Sequence, residues 1–516
     1  MGLQENKQDL EDVPGVEDLK FHDVKSSVLH TEQIPERRGV EMPPLVQELS
    51  VDERNRLERK LLWKIDLRIL PMIILMYILN YLDRNNIAAA RLAGLEDDLR
   101  LKGTEYQTCV SILFVGYVLM QIPSNLFLNK IGKPGLYLPS AMIIWGVISG
   151  ATGAVHNFGG LIACRFILGF VEAAYFPGCL FYLSSWYTRK ELGLRTAILF
   201  MGSLLSGAFS GLIAAGITNG MDDKAGLASW RWLFIIEGII TVVVAFCGYF
   251  ILPNFPRTTF WLSETERQLA VWRLEEDIGE DDWTSSEQQT FTYGIRLAIT
   301  DIKTWILMIM LFCIASSASV INFFPSVVET LGYGSIQSLL LTAPPYLLCV
   351  ITAGLTAWSA DRTGERYFHV TIPIYVAIIA NVIAATTTAV APRYLSMMLM
   401  IPGVYSSYSV VLAWISNSMP RPVEKRAAAL AAINAVGNCA NIFGSFMYPS
   451  SQAPRYVVAM SINCATAAVA IVAATVLRVV LVRLNKKLDH GKTVEGMTDV
   501  GAVSGQGSSK GFRFLI

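Results

Sequence analysis

Long apolar stretches alternate with short polar segments along most of the chain. The apolar stretches lie near residues 67–88, 107–128, 136–155, 160–185, 196–217 and 232–252, and again near 304–325, 338–360, 369–389, 394–417, 427–449 and 456–481. Each stretch is close to the ~20 residues that a helix needs to cross the hydrocarbon core of a bilayer. The pattern predicts an all-α polytopic membrane protein, with twelve transmembrane helices in two sets of six.

The polar segments divide the chain into five parts. In chain order they predict a disordered cytosolic tail (1–50), a first six-helix bundle (51–252), a central cytosolic loop (253–303), a second six-helix bundle (304–482) and a cytosolic tail (483–516). Within the first bundle, residues 51–66 predict an amphipathic helix that leads into the first span.

The distribution of Lys and Arg predicts the orientation. Cytosolic loops of membrane proteins carry an excess of these residues. If both termini are cytosolic, the short inner loops hold Lys130, Lys133, Arg189, Lys190, Arg195, Arg362, Arg366, Arg421, Lys425 and Arg426. The outer loops carry fewer basic residues, and nearby acids offset several of them. An even number of spans also places both termini on one side, so we expect both in the cytosol. Of the plasma and vacuolar membranes, which the sequence does not distinguish, we expect the plasma membrane.

Composition excludes several other classes of protein. Hydrophobic residues make up 53% of the chain and charged residues 16%, whereas about a quarter of an average soluble protein is charged. The formal net charge is zero, which gives no indication of a nucleic-acid partner. The eight cysteines lie in apolar runs without metal-ligand spacing, and the five histidines form no catalytic arrangement. We therefore expect neither an enzyme nor a bound metal or cofactor.

Charged residues interrupt two of the apolar stretches. The first span ends in "NYLDRNN", which contains Asp83 and Arg84, and the fourth contains Arg165 and Glu172 in "CRFILGFVEAAYFPG". A charge inside a span costs roughly 2.5–3.5 kcal/mol on insertion scales. Arg165 and Glu172 are seven residues apart, so they share one face of a helix. Counting residues from the predicted helix ends places Asp83 and Arg165 at similar depths, with Glu172 about two turns deeper than Arg165. Arg84 is long enough to reach Glu172.

Two interpretations fit this constellation. The four charges sum to zero, so they could form a fixed ionic clamp between spans one and four. Alternatively, Glu172 takes up a proton, which leaves a net positive charge suited to an anionic substrate. We prefer the second hypothesis, in which Asp83, Arg84, Arg165 and Glu172 couple protons to an anion.

Other polar residues in the spans are weaker candidates for substrate binding, because packing between helices explains most of them better. They are Tyr117 and Gln121 in the second span, Ser203 in the fifth, Asn322 in the seventh, and Asn434, Asn438 and Asn441 in the eleventh. Pro325 follows Asn322 closely and predicts a break in the seventh span, a feature often found near transport sites. The "GAFSG" sequence (207–211) predicts close helix packing only.

The loops after the second and eighth spans resemble each other. The second of them, "AWSADRTGER", contains Asp361, Arg362, Gly364 and Arg366, whereas the first, "LNKIGKPG", keeps the basic residues and Gly132 but has no acid. Two six-helix halves with a long central loop and this repeated loop motif are typical of the major facilitator superfamily, whose halves are structural repeats. We expect the motif to act in gating.

Residues 57–485 resemble the fungal anion:cation symporters, the allantoate-permease group of that superfamily. The resemblance rests on "YLDRNNI", "YVLMQIPSNL", "RFILGFVEAAYFPGCLFYLSSWYTRKELGLR", "WRWLFIIEGIIT" and "LPNFPRTTFWLSETER". It implies import of a small organic anion, such as nicotinate, pantothenate, biotin or allantoate, together with protons. It also implies coupling roles for Asp83, Arg84, Arg165 and Glu172, and substrate contact for Tyr81. We expect a monomer.

Export of a metabolite or drug by proton antiport is the main alternative. Exporters of the superfamily usually carry a motif rich in Gly and Pro in the fifth span, and here that span has glycines but no proline. A non-transporting receptor is a third possibility, which the intact charged residues disfavour. The sequence does not identify the transported anion.

Overall fold

The described part of the chain is mostly helical. A computed structural model describes residues 42–279, 291–419, 423–490 and 513–516, and no β-strand occurs in these ranges beyond an isolated bridge between Lys224 and Leu227. Most of both predicted tails and part of the predicted central loop lie outside the described residues. Residues 44–47, at the end of the predicted first tail, form a short helix.

Twelve helical segments correspond in order to the twelve predicted spans. They are span 1 (Val51–Leu92), span 2 (Glu105–Ile131), span 3 (Pro134–Thr152), span 4 (Phe158–Glu172 and Tyr175–Ser184), span 5 (Arg189–Met221), span 6 (Ser229–Ile251), span 7 (Ile302–Ala318, Ser319–Phe323 and Phe324–Glu329), span 8 (Ser335–Thr363), span 9 (Tyr367–Thr386), span 10 (Val390–Ser418), span 11 (Val423–Gly444) and span 12 (Val457–Asp489). We call the end of span 1 at Leu92 its outer end, following the predicted orientation, and name the other ends accordingly.

Nine of these spans are long and apolar enough to cross a membrane by themselves. Spans 1, 2 and 11 complete the set because they pack among the nine: span 1 against spans 5 and 6, span 2 against span 4, and span 11 against span 7. The outer surface is strongly apolar, with side chains such as Phe250, Trp358 and Val472 more than half exposed. Soluble proteins rarely show apolar surface on this scale. The surface is suited to lipid.

Two spans are broken, each just before a proline. Span 4 is interrupted at Ala173–Ala174, and Pro177 removes the backbone hydrogen bond that would reach Ala173. Span 7 changes to a 3₁₀ turn over Ser319–Phe323, and Pro325 lies in the first turn of the helix that follows. The break in span 7 was predicted from the sequence. The break in span 4 was not, and it lies directly after Glu172.

Spans 5 and 8, together with spans 2 and 11, form the contact between the two bundles. Two glycines of span 5 allow a very close approach. A Cβ on Gly207 would lie 2.3 Å from the Tyr346 ring, and one on Gly211 would lie 2.1 Å from Thr342 Oγ1. The "GAFSG" sequence therefore acts in packing, as predicted, and the helices that it joins belong to different bundles.

The central segment between the bundles contains helices of its own. Helix Glu264–Gly279 packs beside the inner part of span 1, where Lys64 pairs with Glu266. Arg273 donates to Glu191 at 3.0 Å and to the Trp186 carbonyl oxygen at 2.8 Å. The predicted amphipathic lead-in helix and the first span form one continuous helix of 42 residues, Val51–Leu92.

Candidate functional site

Arg84 of span 1 and Glu172 of span 4 form a buried ion pair. The Nε and one terminal nitrogen of Arg84 both lie 3.0 Å from Oε2 of Glu172. Oε1 of Glu172 has no hydrogen-bond partner, and the residue is fully buried. The expectation that Arg84 reaches Glu172 is met. One carboxylate oxygen carries both contacts, so the other remains able to accept a proton or a new donor.

Arg165 lies beside this pair with most of its donors unused. One terminal nitrogen donates to the backbone carbonyl of Arg84 at 3.1 Å, while Nε and the other terminal nitrogen have no partner. The side chain is 1% exposed. A buried guanidinium with free donors favours an incoming acceptor, because unmade hydrogen bonds to a charged group are costly. The three charges Arg84, Arg165 and Glu172 sum to +1.

Two glycines place spans 2 and 4 in backbone contact next to the cluster. A Cβ on Gly116 would lie 2.4 Å from the Phe166 carbonyl oxygen, and one on Gly169 would lie 2.0 Å from the Leu113 carbonyl oxygen. No side chain can replace hydrogen at such distances. The close approach brings span 2 alongside Glu172, and the following break in span 4 ends the helix at that residue.

Aromatic rings surround the Arg84 guanidinium. Its central carbon lies 5.0 Å from the Tyr81 ring centroid and 4.8 Å from that of Tyr117, within the range of cation–π attraction. Across the bundle contact, Tyr408 of span 10 stacks on Phe200 of span 5 at 5.6 Å. Tyr81 and Tyr117 were singled out from the sequence. Tyr408 and its neighbour Tyr405 were missed, although the "YSSYS" repeat in an apolar span was a signal.

Asp83 faces away from both arginines. Its carboxylate accepts hydrogen bonds from Ser149 Oγ of span 3 at 2.6 Å and from Thr241 Oγ1 of span 6 at 2.9 Å. Span 6 contributes another buried acid, Glu237, whose Oε2 accepts from Asn86 Nδ2 at 2.6 Å. The expected cluster of four charges is therefore two separate groups: Arg84, Arg165 and Glu172 lie together, and Asp83 lies apart from them. Asp83 and Arg84 are adjacent in the helix, so their side chains point about 100° apart. Glu237 was missed, although "FIIEGII" places a lone acid in an apolar run.

The remaining candidate residues lie in two places. Gln121 of span 2 is buried, and its Oε1 has no partner. In the second bundle, Asn438 Nδ2 donates to the Asn434 carbonyl oxygen at 2.9 Å, and Asn322 Nδ2 lies 3.4 Å from Asn441 Oδ1. The asparagine stripe of span 11 thus reaches the 3₁₀ turn of span 7. The Arg84–Glu172 pair is formed within the first bundle, without these residues.

The loop motif after span 8 is a helix end closed by an ion pair. Gly364 ends the helix with a φ of 69°, and Gly132 ends span 2 in the same way with a φ of 62°. Arg366 bonds to Asp361 at 2.6 Å, and Arg362 lies 5.4 Å from the Trp358 ring centroid. The backbone nitrogen of Arg366 also donates to the carbonyl oxygen of Ile516 at 2.6 Å. The two loops are thus similar in backbone form, and only the second has the acid.

Within the described residues, twelve helical spans in two bundles, with apolar outer surfaces and a buried charged cluster, define a polytopic helical membrane protein. The model of the Major Facilitator Superfamily matches residues 73–445. The chain belongs to this superfamily, and it is a membrane transporter. The predictions of an all-α membrane fold and of a protein that is not an enzyme are confirmed.

Curated fungal relatives cover most of the chain. The MFS-type transporter efuF of Hormonema carpetanum is 32% identical over 419 residues, which is 79% of this chain and 82% of the relative. The major facilitator-type transporter hxnP of Emericella nidulans is 31% identical over 452 residues, 86% of this chain and 89% of the relative. These names specify neither a substrate nor a direction of transport.

Solved structures of bacterial transporters share the fold. A bacterial homologue of the human lysosomal transporter Spinster, in an inward-facing unoccupied conformation, has a TM-score of 0.62 at 14% identity and covers 84% of this chain and 97% of that one. The proton:xylose symporter XylE has a TM-score of 0.60 at 17% identity, with coverage of 79% and 95%. At these identities the likeness concerns the fold alone.

Proposed function

We propose that this transporter imports a small organic anion together with protons, as the fungal anion:cation symporters do. The observation that carries the proposal is the buried cluster of Arg84, Arg165 and Glu172, which has a net charge of +1 and unused donors on Arg165. A buried positive site of this kind attracts a carboxylate, and guanidinium groups bind carboxylates through paired hydrogen bonds.

The aromatic rings around Arg84 support a substrate that is planar or partly apolar. The Tyr81 and Tyr117 rings flank the guanidinium, so an anion that reaches Arg84 passes between tyrosine faces. Nicotinate, pantothenate and allantoate are of suitable size and charge. We propose that Gln121 of the first bundle and Asn322, Asn434 and Asn438 of the second bind the polar end of the substrate when the bundles close around it.

Glu172 is the proposed coupling group. In the described conformation one of its oxygens binds Arg84 and the other has no partner. When an anion takes over the donors of Arg84, the carboxylate of Glu172 loses its compensating charge, and protonation becomes the less costly state. Proton uptake and anion binding then favour each other. Asp83 contributes through its neighbouring charge on span 1, and the Asp361–Arg366 motif acts at the gate.

The proposal includes the orientation and the location of the protein. The Lys and Arg residues of the predicted inner loops support cytosolic termini, and a plasma-membrane location follows from the proposed uptake role. We propose that a single chain is the transporting unit, because both bundles of one chain contribute the candidate residues.

Replacement of Glu172 by glutamine tests the coupling role. Glutamine resembles the protonated acid in size and polarity, but it does not exchange a proton. In vesicles supplied with a panel of labelled carboxylates, E172Q should retain exchange of substrate across the membrane and lose accumulation driven by a proton gradient. E105Q, at the outer end of span 2, is the matched control and should behave as the wild type.

Three results would contradict the proposal. Normal accumulation by E172Q would remove Glu172 from coupling. Loss of the folded protein in E172Q would indicate that the pair is only an ionic clamp. Proton-driven efflux of carboxylate from loaded vesicles, with no uptake in the opposite arrangement, would identify an exporter instead.

A further inference from the structure

Span 1 carries a second buried polar group on a face that does not include Arg84. Asp83 and Asn86 are three residues apart, and Glu237 and Thr241 are four apart on span 6, so each pair lies on one helix face. Thr241 contacts Asp83, and Glu237 contacts Asn86. Asp83 and Asn86 are fully buried, and Glu237 is 1% exposed.

No cation balances the two carboxylates in the described part of the chain. Neither Asp83 nor Glu237 forms an ion pair with any described residue. Span 6 packs against spans 1, 3 and 5. On span 1, the negative charge of Asp83 is close enough to repel a negative charge on Glu237. Asp83 is in turn repelled by Glu172.

Among the side chains that the structure describes, the other neighbours of span 6 supply no compensating charge near Glu237. The one ionisable group of span 3 is Tyr137, which bonds to Ser124. The ionisable side chains of span 5 lie in its first two turns, at the inner end, and those of Arg189 and Lys190 are outside the described set. On span 6 itself, Arg231 bonds to Asp98 at the outer end.

The contact between Glu237 and Asn86 lacks one hydrogen-bond donor. Asn86 Nδ2 donates to Glu237 Oε2, while Glu237 Oε1 and Asn86 Oδ1 are both buried acceptors without a partner. A proton on Oε1 of Glu237 supplies the missing donor, because a carboxylic acid and an amide can form two hydrogen bonds in opposite directions. Both oxygens of Asp83 already accept from hydroxyl groups, which suits a carboxylate.

Charge balance points to the same group. Five buried acidic and basic residues lie around these two sites: Asp83, Arg84, Arg165, Glu172 and Glu237. Their charges sum to −1 when all are ionised. One bound proton makes the set neutral. Since an uncompensated buried carboxylate is strongly unfavourable, the proton is expected at the acid with no cation and an incomplete set of hydrogen bonds.

We propose that Glu237 binds a proton at neutral pH and forms a neutral acid–amide pair with Asn86, a proton-binding site separate from Glu172. The site joins span 6 to span 1 through two hydrogen bonds in place of one. Its existence does not depend on the proposed anion, since none of its groups contacts Arg84 or Arg165.

Infrared spectroscopy of the purified full-length protein tests the proposal. A protonated buried carboxyl group has a C=O stretching band that is well separated from carboxylate bands. We expect the wild type to show this band at neutral pH, and E237Q to lose it. E105Q and E264Q replace acids outside this buried set and leave its charge unchanged, so they are the matched controls, and both should retain the band. Because Gln can donate to Asn86 Oδ1 and accept from Asn86 Nδ2, E237Q should keep wild-type abundance.

Asn86 provides an independent variant if E237Q does not fold. N86A removes the donor to Glu237 Oε2, so the band should persist and move to higher frequency. Absence of the band at neutral pH in the wild type, or its survival in E237Q, would overturn the proposal. Loss of the wild-type band when sodium chloride replaces choline chloride would also overturn it, because the site would then bind sodium. The spectra are recorded without substrate, so we expect the same result whether or not the protein takes up an anion.

Discussion

Removal of either partner of the buried Arg84–Glu172 pair should destabilise the protein, but to different extents. R84L leaves Glu172 near Arg165, so opposite charges remain together, whereas E172L leaves two buried guanidinium groups without a carboxylate. Breaking a buried pair costs about 3–5 kcal/mol of unfolding free energy. We assign R84L to the lower end of that range and E172L to the upper end.

The double variant R84L/E172L should lose less free energy of unfolding than R84L and E172L lose together. It removes one charge of each sign, so only Arg165 remains unpaired, and coupling between contacting residues is about 0.5–3 kcal/mol. The free energy of unfolding can be measured by denaturation in mixed micelles, followed by tryptophan fluorescence. Glu264 pairs with Arg267 on an exposed helix face, so E264Q is the control and should cost under about 1 kcal/mol.

Additive costs in the double variant would refute this account of the cluster. A larger cost for R84L than for E172L would refute the compensating role of Arg165. The measurement requires no transport substrate, so it tests the electrostatics of the site separately from the proposed function.

Three further predictions concern packing, pH and topology. G169A should destabilise the protein by more than about 1 kcal/mol, because its Cβ would lie 2.0 Å from the Leu113 carbonyl oxygen. G150A, which has open space around its Cβ, should be neutral in the same denaturation assay in mixed micelles, and equal effects would contradict the packing argument. Burial alone would raise the pKa of Asp301, but Lys303 and Lys425 lower the pKa below its usual value. The stabilisation relative to D301N should therefore be present at neutral pH and decline below about pH 3.9, as the pH falls through the folded-state pKa; a constant difference down to acid pH would contradict it. Tags on both termini should bind antibody only after cells are permeabilised, and labelling of a terminal tag on intact cells would contradict the orientation.

The sequence by itself determined the number and the order of the spans. Each apolar stretch is long enough to bury its backbone hydrogen bonds inside a single helix, which is the requirement that a bilayer imposes locally. The spacing of residues within one helix also predicted correctly which of them share a face. Arg165 and Glu172 belong to the same buried cluster because seven residues complete about two turns. The break in span 7 followed from Pro325, since proline acts on its own helix.

The tertiary structure alone decided which helix faces meet. Asp83 and Arg84 are adjacent in the sequence, yet one contacts spans 3 and 6 and the other contacts span 4. For the same reason, the sequence could not show that Glu237 bonds to Asn86 or that Tyr408 stacks on Phe200. Periodicity gives the angle between two residues of one helix, but not the rotation of that helix relative to its neighbours. That rotation is set by packing between helices, such as the contact that Gly169 permits, and it depends on residues distant in the chain.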